Sequence, residues 1–381
     1  MLSKSMKIIL LLGFVSLCGD IVYETGRSIS GQYLGILGAN AFLVGLVFGI
    51  GEFMGYAIRI FSGFAIDKTK NYWLFMFLGY GSILFIPLLG LTNSFLVASL
   101  FLILERIGKG LRSPAKDTIL SVYTPGIKKG FVFGIHELAD QIGAVGGPFI
   151  FSILLLLGLG YKKALLLLFL PFLILLISLI IAKRYSENIE VDKKTYKTFS
   201  SRVFYFYLAF VFLTTLGFIG YPLIGYHLFK NSIINENYIP MLYSFVMLVD
   251  GIFAIPIGFL YDRFSFKVML SFPVFILAIV FLVFSNNIVL IVTGLVIWGV
   301  VMSGYETVVR AFISDTVPIE SKGKFFGIFN TAFGISLFIG NSFSGYLYKI
   351  GIKYIYYFVI ITQVVSMFVF ILTLKRIKKN T

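Results

Sequence analysis

From Ala164 to Ala182 the chain offers no charged side chain and a single hydroxyl, Ser178. A run of that length and apolarity matches the bilayer's hydrocarbon core of about 30 Å, which a helix of about 20 residues crosses. Comparable runs recur at roughly 8–36, 41–66, 72–90, 95–122, 131–158, 163–182, 203–229, 238–261, 268–284, 287–315, 324–347 and 354–374. None alternates in polarity as a membrane β-barrel strand does. They are therefore expected as helices, which satisfy their own backbone hydrogen bonds where lipid cannot. The composition points the same way: 59% of the 381 residues are hydrophobic and 13% charged, against about 25% charged in soluble domains. The expected fold class is an all-α membrane protein with twelve transmembrane helices. Lys4 and Lys7 precede the first run as in a signal peptide, but Asp20, Glu24 and Arg27 follow with no small-residue cleavage site, so the run is read as a span.

The net charge of +15 needs no nucleic acid to explain it. With the N-terminus in the cytoplasm, Lys68, Lys70, Lys128, Lys129, Lys183, Arg184 and the basic residues of 193–202 all fall inside, and only a few lysines, Lys162, Lys163 and Lys230 among them, fall outside. That asymmetry predicts both termini in the cytoplasm of a plasma-membrane protein, with the basic loops against anionic lipid. A single cysteine, Cys18, rules out an internal disulfide. Two histidines, and no CxxC, HExxH or P-loop pattern, give no metal site, no cofactor, no enzyme signature and no self-contained ATP pump.

The longest polar stretch divides the chain into residues 1–183, a cytoplasmic linker over 184–201, and residues 202–381, six spans on each side. The halves repeat each other. Gly63, Asp67 and Lys68 after the second span correspond to Gly258, Asp262 and Arg263 after the eighth. Ser121, Pro125, Gly130 and Gly134 correspond, at one constant offset, to Ser314, Pro318, Gly323 and Gly327. Two pseudo-symmetric six-helix bundles are expected, a known transporter architecture.

Twelve spans, a six-plus-six repeat and a GxxxD-basic loop after spans two and eight together resemble the major facilitator superfamily. The family's loop continues with a glycine and a basic pair; here Lys70, Asn71 and Tyr72 stand at those places. The fourth span, with Arg106, Gly108, Lys109, Gly110, Arg112, Pro114 and Asp117, is similar to the R-x-GKG-x-R-x-P-x-x-D stretch of a prokaryotic branch, which also carries an acidic pair in its first span, here Asp20 and Glu24. Gly143, Gly147 and Pro148 in the fifth span resemble the opening of the family's antiporter motif, although Phe151 and Ser152 replace its final glycines. The resemblance implies the family's fold. It gives gating roles to Gly63, Asp67, Lys68, Gly143, Gly147, Pro148, Gly258, Asp262 and Arg263, with Arg112 as the partner of Asp67 and with the fifth span packed on the eighth. Small-xxx-small helix packing alone also explains Gly143 and Gly147.

Ionisable residues inside spans are costly and face a bundle interior or water. Most lie in the first half. Asp20 and Glu24 share a helix face, with Arg27 one turn on; two carboxylates this close do not both ionise easily, as a proton-coupling site requires. An ion pair of Glu24 with Arg27 is the structural alternative. Glu105, Lys109, Arg112 and Lys116 form one narrow stripe on the fourth span, with Arg106 and Asp117 on another face. Glu137 and Asp140 share a face of the fifth span beside His136. Glu306 and Arg310 of the tenth span are read as a structural pair, and Tyr23, Tyr33, Phe53 and Trp298 as filling the bundle by default, with lining of the cavity as the alternative. The expected function is alternating-access transport of a small solute, by proton-coupled exchange in the direction of efflux. Proton symport or facilitated uptake, and a non-transporting sensor or scaffold, are the alternatives. The expected partners are the solute, protons and lipid, with the chain acting as a monomer.

Overall fold

The computed structural model describes residues 4–123, 129–186, 202–316 and 322–380. Every regular element among them is helical. In chain order they are α1 (Lys4–Ile36), α2 (Ala41–Thr69), α3 (Tyr72–Gly81), α4 (Phe85–Leu88), α5 (Phe95–Val122), α6 (Lys129–Leu156), α7 (Gly160–Leu167), α8 (Phe169–Tyr185), α9 (Arg202–Leu216), α10 (Tyr221–Lys230), α11 (Ile239–Phe264), α12 (Ser271–Val283), α13 (Ile288–Thr316), α14 (Lys322–Ile350) and α15 (Ile352–Asn380). Ten helical stretches among the described residues are long and apolar enough to cross a membrane. The expected linker lies, from residue 187 on, outside the described residues, as do Pro125 and Pro318 of the repeat.

Local chemistry sets the helix boundaries. Gly38 ends α1 in the left-handed region (φ 91°), and Asn40 caps α2 by accepting from Leu43 N at 3.0 Å. Gly158 and Gly160 take positive φ between α6 and α7. Lys70 ends α2 at φ 56°, and Asn71 caps α3 by accepting from Leu74 N at 3.2 Å. The equivalent loop of the second half places Ser265 at φ 54°. The duplicated loop thus turns the same way twice, at the position where the family signature has glycine.

The seventh expected span is not one helix. It breaks at residues 217–220, between Gly217 and Gly220, with Pro222 in the first turn of α10. Backbone left open inside a membrane needs partners. Trp298 Nε1 of α13 donates to Ile219 O at 2.8 Å, and Gly220 N donates to Asn341 Oδ1 of α14 at 2.8 Å. Trp298 is therefore a strut for the broken helix, not only filling.

The chain packs as two compact units. The first comprises Met1–Gly38, Met54–Lys193 and Asn235–Ser244; the second comprises Ala39–Phe53, Lys194–Ile234 and Phe245–Thr381. Each takes in one helix end from the other half of the sequence. Within the second unit the start of α2 lies against α14, where a Cβ on Gly49 would stand 2.9 Å from Phe338 O. Within the first unit, Ser244 Oγ of α11 donates to Val145 O of α6 at 2.6 Å. Apolar side chains also cover outer faces: Leu170, Leu173 and Ile177 of α8 are 65%, 52% and 58% exposed, the stripe a lipid-facing helix presents.

Candidate functional site

Buried ionisable side chains of the first unit gather along α1 and α5, where Tyr243 of α11 and Asp140 of α6 reach them. Pro114 in α5 cannot donate to Gly110 O, and Ser62 of α2 supplies the missing donor at 2.9 Å. This fixes α5 against α2 just where its basic stripe runs. On α1, Gly143 and Gly147 of α6 lie tight against the backbone at Leu17 and Ile21, and a Cβ on Gly143 would come 2.9 Å from Asp20 Cβ. The small residues therefore seat α6 on α1, and the neighbouring Val145 carbonyl makes the hydrogen bond to α11. The fifth span thus touches the eighth, as expected, but through Ser244 and Val145, while the nearest neighbours of Gly143 and Gly147 are on α1.

Glu24 is 5% exposed. Its Oε2 accepts from Tyr243 Oη of α11 at 2.6 Å, and its Oε1 lies 3.9 Å from Arg27 Nη1. Beside it, Lys109 Nζ donates to the Tyr23 hydroxyl and stands 4.3 Å from the centre of its ring. Arg106 and Arg112 approach the same ring at 4.7 and 5.7 Å. Three cations on one aromatic ring make Tyr23 the organising residue of the site.

Glu105, 1% exposed, neutralises two of those cations: Arg106 Nε lies 3.0 Å from Oε2 and Arg112 Nη1 lies 3.8 Å from Oε1. Arg106 was expected on another face; its long stem carries the guanidinium round to Glu105 and Tyr23. Arg112 is not the partner of Asp67. It is 5% exposed and also donates to Gly79 O at 3.2 Å, whereas Asp67 and Lys68 are exposed at the end of α2.

Toward the cytoplasmic end expected for α5 lies a second cluster. Lys116 Nζ is 3.4 Å from Asp140 Oδ2 and 3.3 Å from Ser16 Oγ, and His136 Nε2 is 3.7 Å from Asp140 Oδ1. Glu137 does not join them on that face; it is exposed. Asp20 lies between the clusters, with Asp140, Glu24, Lys109 and Lys116 as its charged neighbours. Gly63 has open space around it, Gly258 faces Thr307 of α13 at 3.9 Å, and Asp262 and Arg263 are exposed. The pairing of Glu306 with Arg310 falls on a side chain outside the described ones.

The sequence reading missed Tyr243, which no local pattern sets apart from other tyrosines. It also undervalued Tyr23, although a tyrosine beside Glu24 and three cations at helical spacing on α5 were both visible. No group of three or more His, Cys, Asp or Glu among the described residues is placed to hold a metal ion.

Residues 206–381 match the family model of the Major Facilitator Superfamily. The uncharacterized protein Rv2265 of Mycobacterium tuberculosis is 31% identical over 352 residues, covering 89% of this chain and 86% of that protein. An uncharacterized MFS-type transporter of Methanocaldococcus jannaschii, MJ1317, is 29% identical over 362 residues, covering 90% and 89%. Among solved structures, the nucleoside transporter NupG superposes with a TM-score of 0.73 at 15% identity, covering 97% of this chain and 99% of that one. A bacterial homologue of the human lysosomal transporter Spinster gives 0.72 at 13%, covering 98% of each. At those identities the two structures speak for the fold alone.

Proposed function

We propose that the chain is a member of the Major Facilitator Superfamily and that it is a proton-coupled secondary transporter of a small solute, working by alternating access. The observation that carries the reading is Glu24. A carboxylate buried at this depth, held by Tyr243 and Arg27 beside a ring ligated by Lys109, is expensive to keep in a membrane protein with no use for it. Asp20, one turn away and flanked by cations on α5, is the companion acid. Moving a proton onto or off this pair changes which cations are neutralised, and that is the electrostatic step a coupled carrier needs.

In this reading the protein has twelve spans, both termini in the cytoplasm, and works as a monomer in the plasma membrane. Asp67 and Lys68, with Asp262 and Arg263, serve the gate from the duplicated loop. Gly143, Gly147 and Pro148 favour exchange with protons. Symport is the second reading, and the surplus of cations around Tyr23 is what favours it.

The test is reconstitution in liposomes with a dye reporting internal pH. A panel of amino acids, sugars, nucleosides and organic acids is added outside. Proton movement that depends on one of them supports the reading, and its sign separates exchange from symport. Its absence for every solute, with folded protein in the bilayer, contradicts it.

A further inference from the structure

Among the ion pairs of the first unit's described residues, two cations are left over. Glu105 takes up Arg106 and Arg112, and Glu24 takes up Arg27. Lys109 and Arg59 remain. Among the described residues neither has a carboxylate within 4 Å: Lys109 holds the hydroxyl and ring of Tyr23, and the Arg59 guanidinium lies 4.7 Å from the Tyr56 ring. The Arg59 Nε is buried with no hydrogen-bond partner, and an ammonium bonded to one phenol has two N–H donors to spare.

These two cations are neighbours. Arg59 stands one turn from Gly55 and Lys109 next to Gly110. At those two glycines α2 and α5 approach closely: a Cβ on Gly110 would be 2.7 Å from Gly55 O. Arg59, Arg27 and Arg106 all bear electrostatically on Lys109, and the carboxylates of Glu24 and Asp20 do so with the opposite sign. Asp20 is shared with Lys116, which already pairs with Asp140. Like charges crowded into a low-dielectric bundle repel strongly, and an unpaired buried charge is costly until a counter-charge arrives.

We propose that Lys109 and Arg59, backed by the Tyr23 ring, bind the transported solute, and that the solute is a small oxyanion carrying a carboxylate or phosphate group. This rests on the transport reading above and specifies its substrate. It also favours symport, the second reading above, over exchange. Protonating Asp20 removes the negative charge that competes for Lys109, so anion and proton favour each other and travel together.

Thermal melting of the full chain in phosphatidylcholine nanodiscs tests the site, with inorganic phosphate, lactate and succinate as probes and glucose and choline as controls. At least one anion is expected to raise Tm, by roughly 3 °C or more at saturating concentration. Lys109→Met and Arg59→Gln should each weaken that anion about tenfold or more, and Lys109→Arg should retain it. No shift with any of the three anions overturns the proposal. So does a shift with glucose or choline alone, or one seen only when phosphatidylglycerol replaces the neutral lipid, which would assign the cations to a headgroup. In liposomes, proton movement coupled to a neutral or cationic solute would sink the anion site and spare the transport reading. Loss of all solute-coupled proton movement would sink the transport reading itself.

Discussion

Tyr243 donates its hydroxyl proton to Glu24 at 2.6 Å, tying α11 to α1 across 219 positions of sequence. A hydrogen bond to a charged acceptor contributes about 1.5–3 kcal/mol. Tyr243→Phe keeps the ring and deletes the bond, so the fold should survive while coupled flux falls by about tenfold or more. Flux and melting measured on the same preparation check this. Wild-type flux in the variant would show that the contact is incidental to transport.

Glu105 holds two buried guanidinium groups, and removing it takes the carboxylate from both. Breaking a buried ion pair costs about 3–5 kcal/mol. Glu105→Ala should therefore lower the melting temperature and the yield of monodisperse protein more than Glu137→Ala does at an exposed site on α6. Equal stability of the two variants would contradict the assigned network.

The positions of Gly143 and Gly147 leave no room for a side chain, because the α1 backbone at Leu17 and Ile21 fills it. Gly147→Val is expected to abolish a folded species in size-exclusion profiles. Gly146→Val, where open space surrounds the position, should be tolerated. The reverse order would remove the close packing of α6 on α1.

Lys70 sits at φ 56° where the family signature has glycine. A non-glycine residue in that region is disfavoured by about 1–2 kcal/mol. Lys70→Gly should therefore raise Tm by a few degrees, with Ser265→Gly doing the same in the second half. A lower Tm for Lys70→Gly would mean that the lysine side chain contributes more than its backbone costs. Asp67→Ala in the same loop should slow transport without loss of folded protein, and unchanged rates would remove it from the gate.

Long apolar runs made the helices legible, because a bilayer demands continuous hydropathy whatever packs beside it. The duplicated loop was legible too, and the left-handed backbone shared by Lys70 and Ser265 shows how local that signal is. The break at Gly217 and Gly220 was hidden, since its partners Trp298 and Asn341 come from distant helices. The stripe on α5 named residues that meet around Tyr23 but not their pairing. Helical periodicity placed Arg106 on another face, while a flexible guanidinium reaches Glu105 regardless of face. Tyr243 was invisible for the same reason: a hydrogen bond between remote segments leaves no mark in either.

The central claim is that Glu24 and its surroundings carry the coupling. Its most direct measurement is Glu24→Gln reconstituted in liposomes and assayed twice, for accumulation driven by a pH gradient and for solute exchange at equal pH. The account predicts that driven accumulation disappears while equilibrium exchange persists. Accumulation at the wild-type level under the same gradient would contradict it.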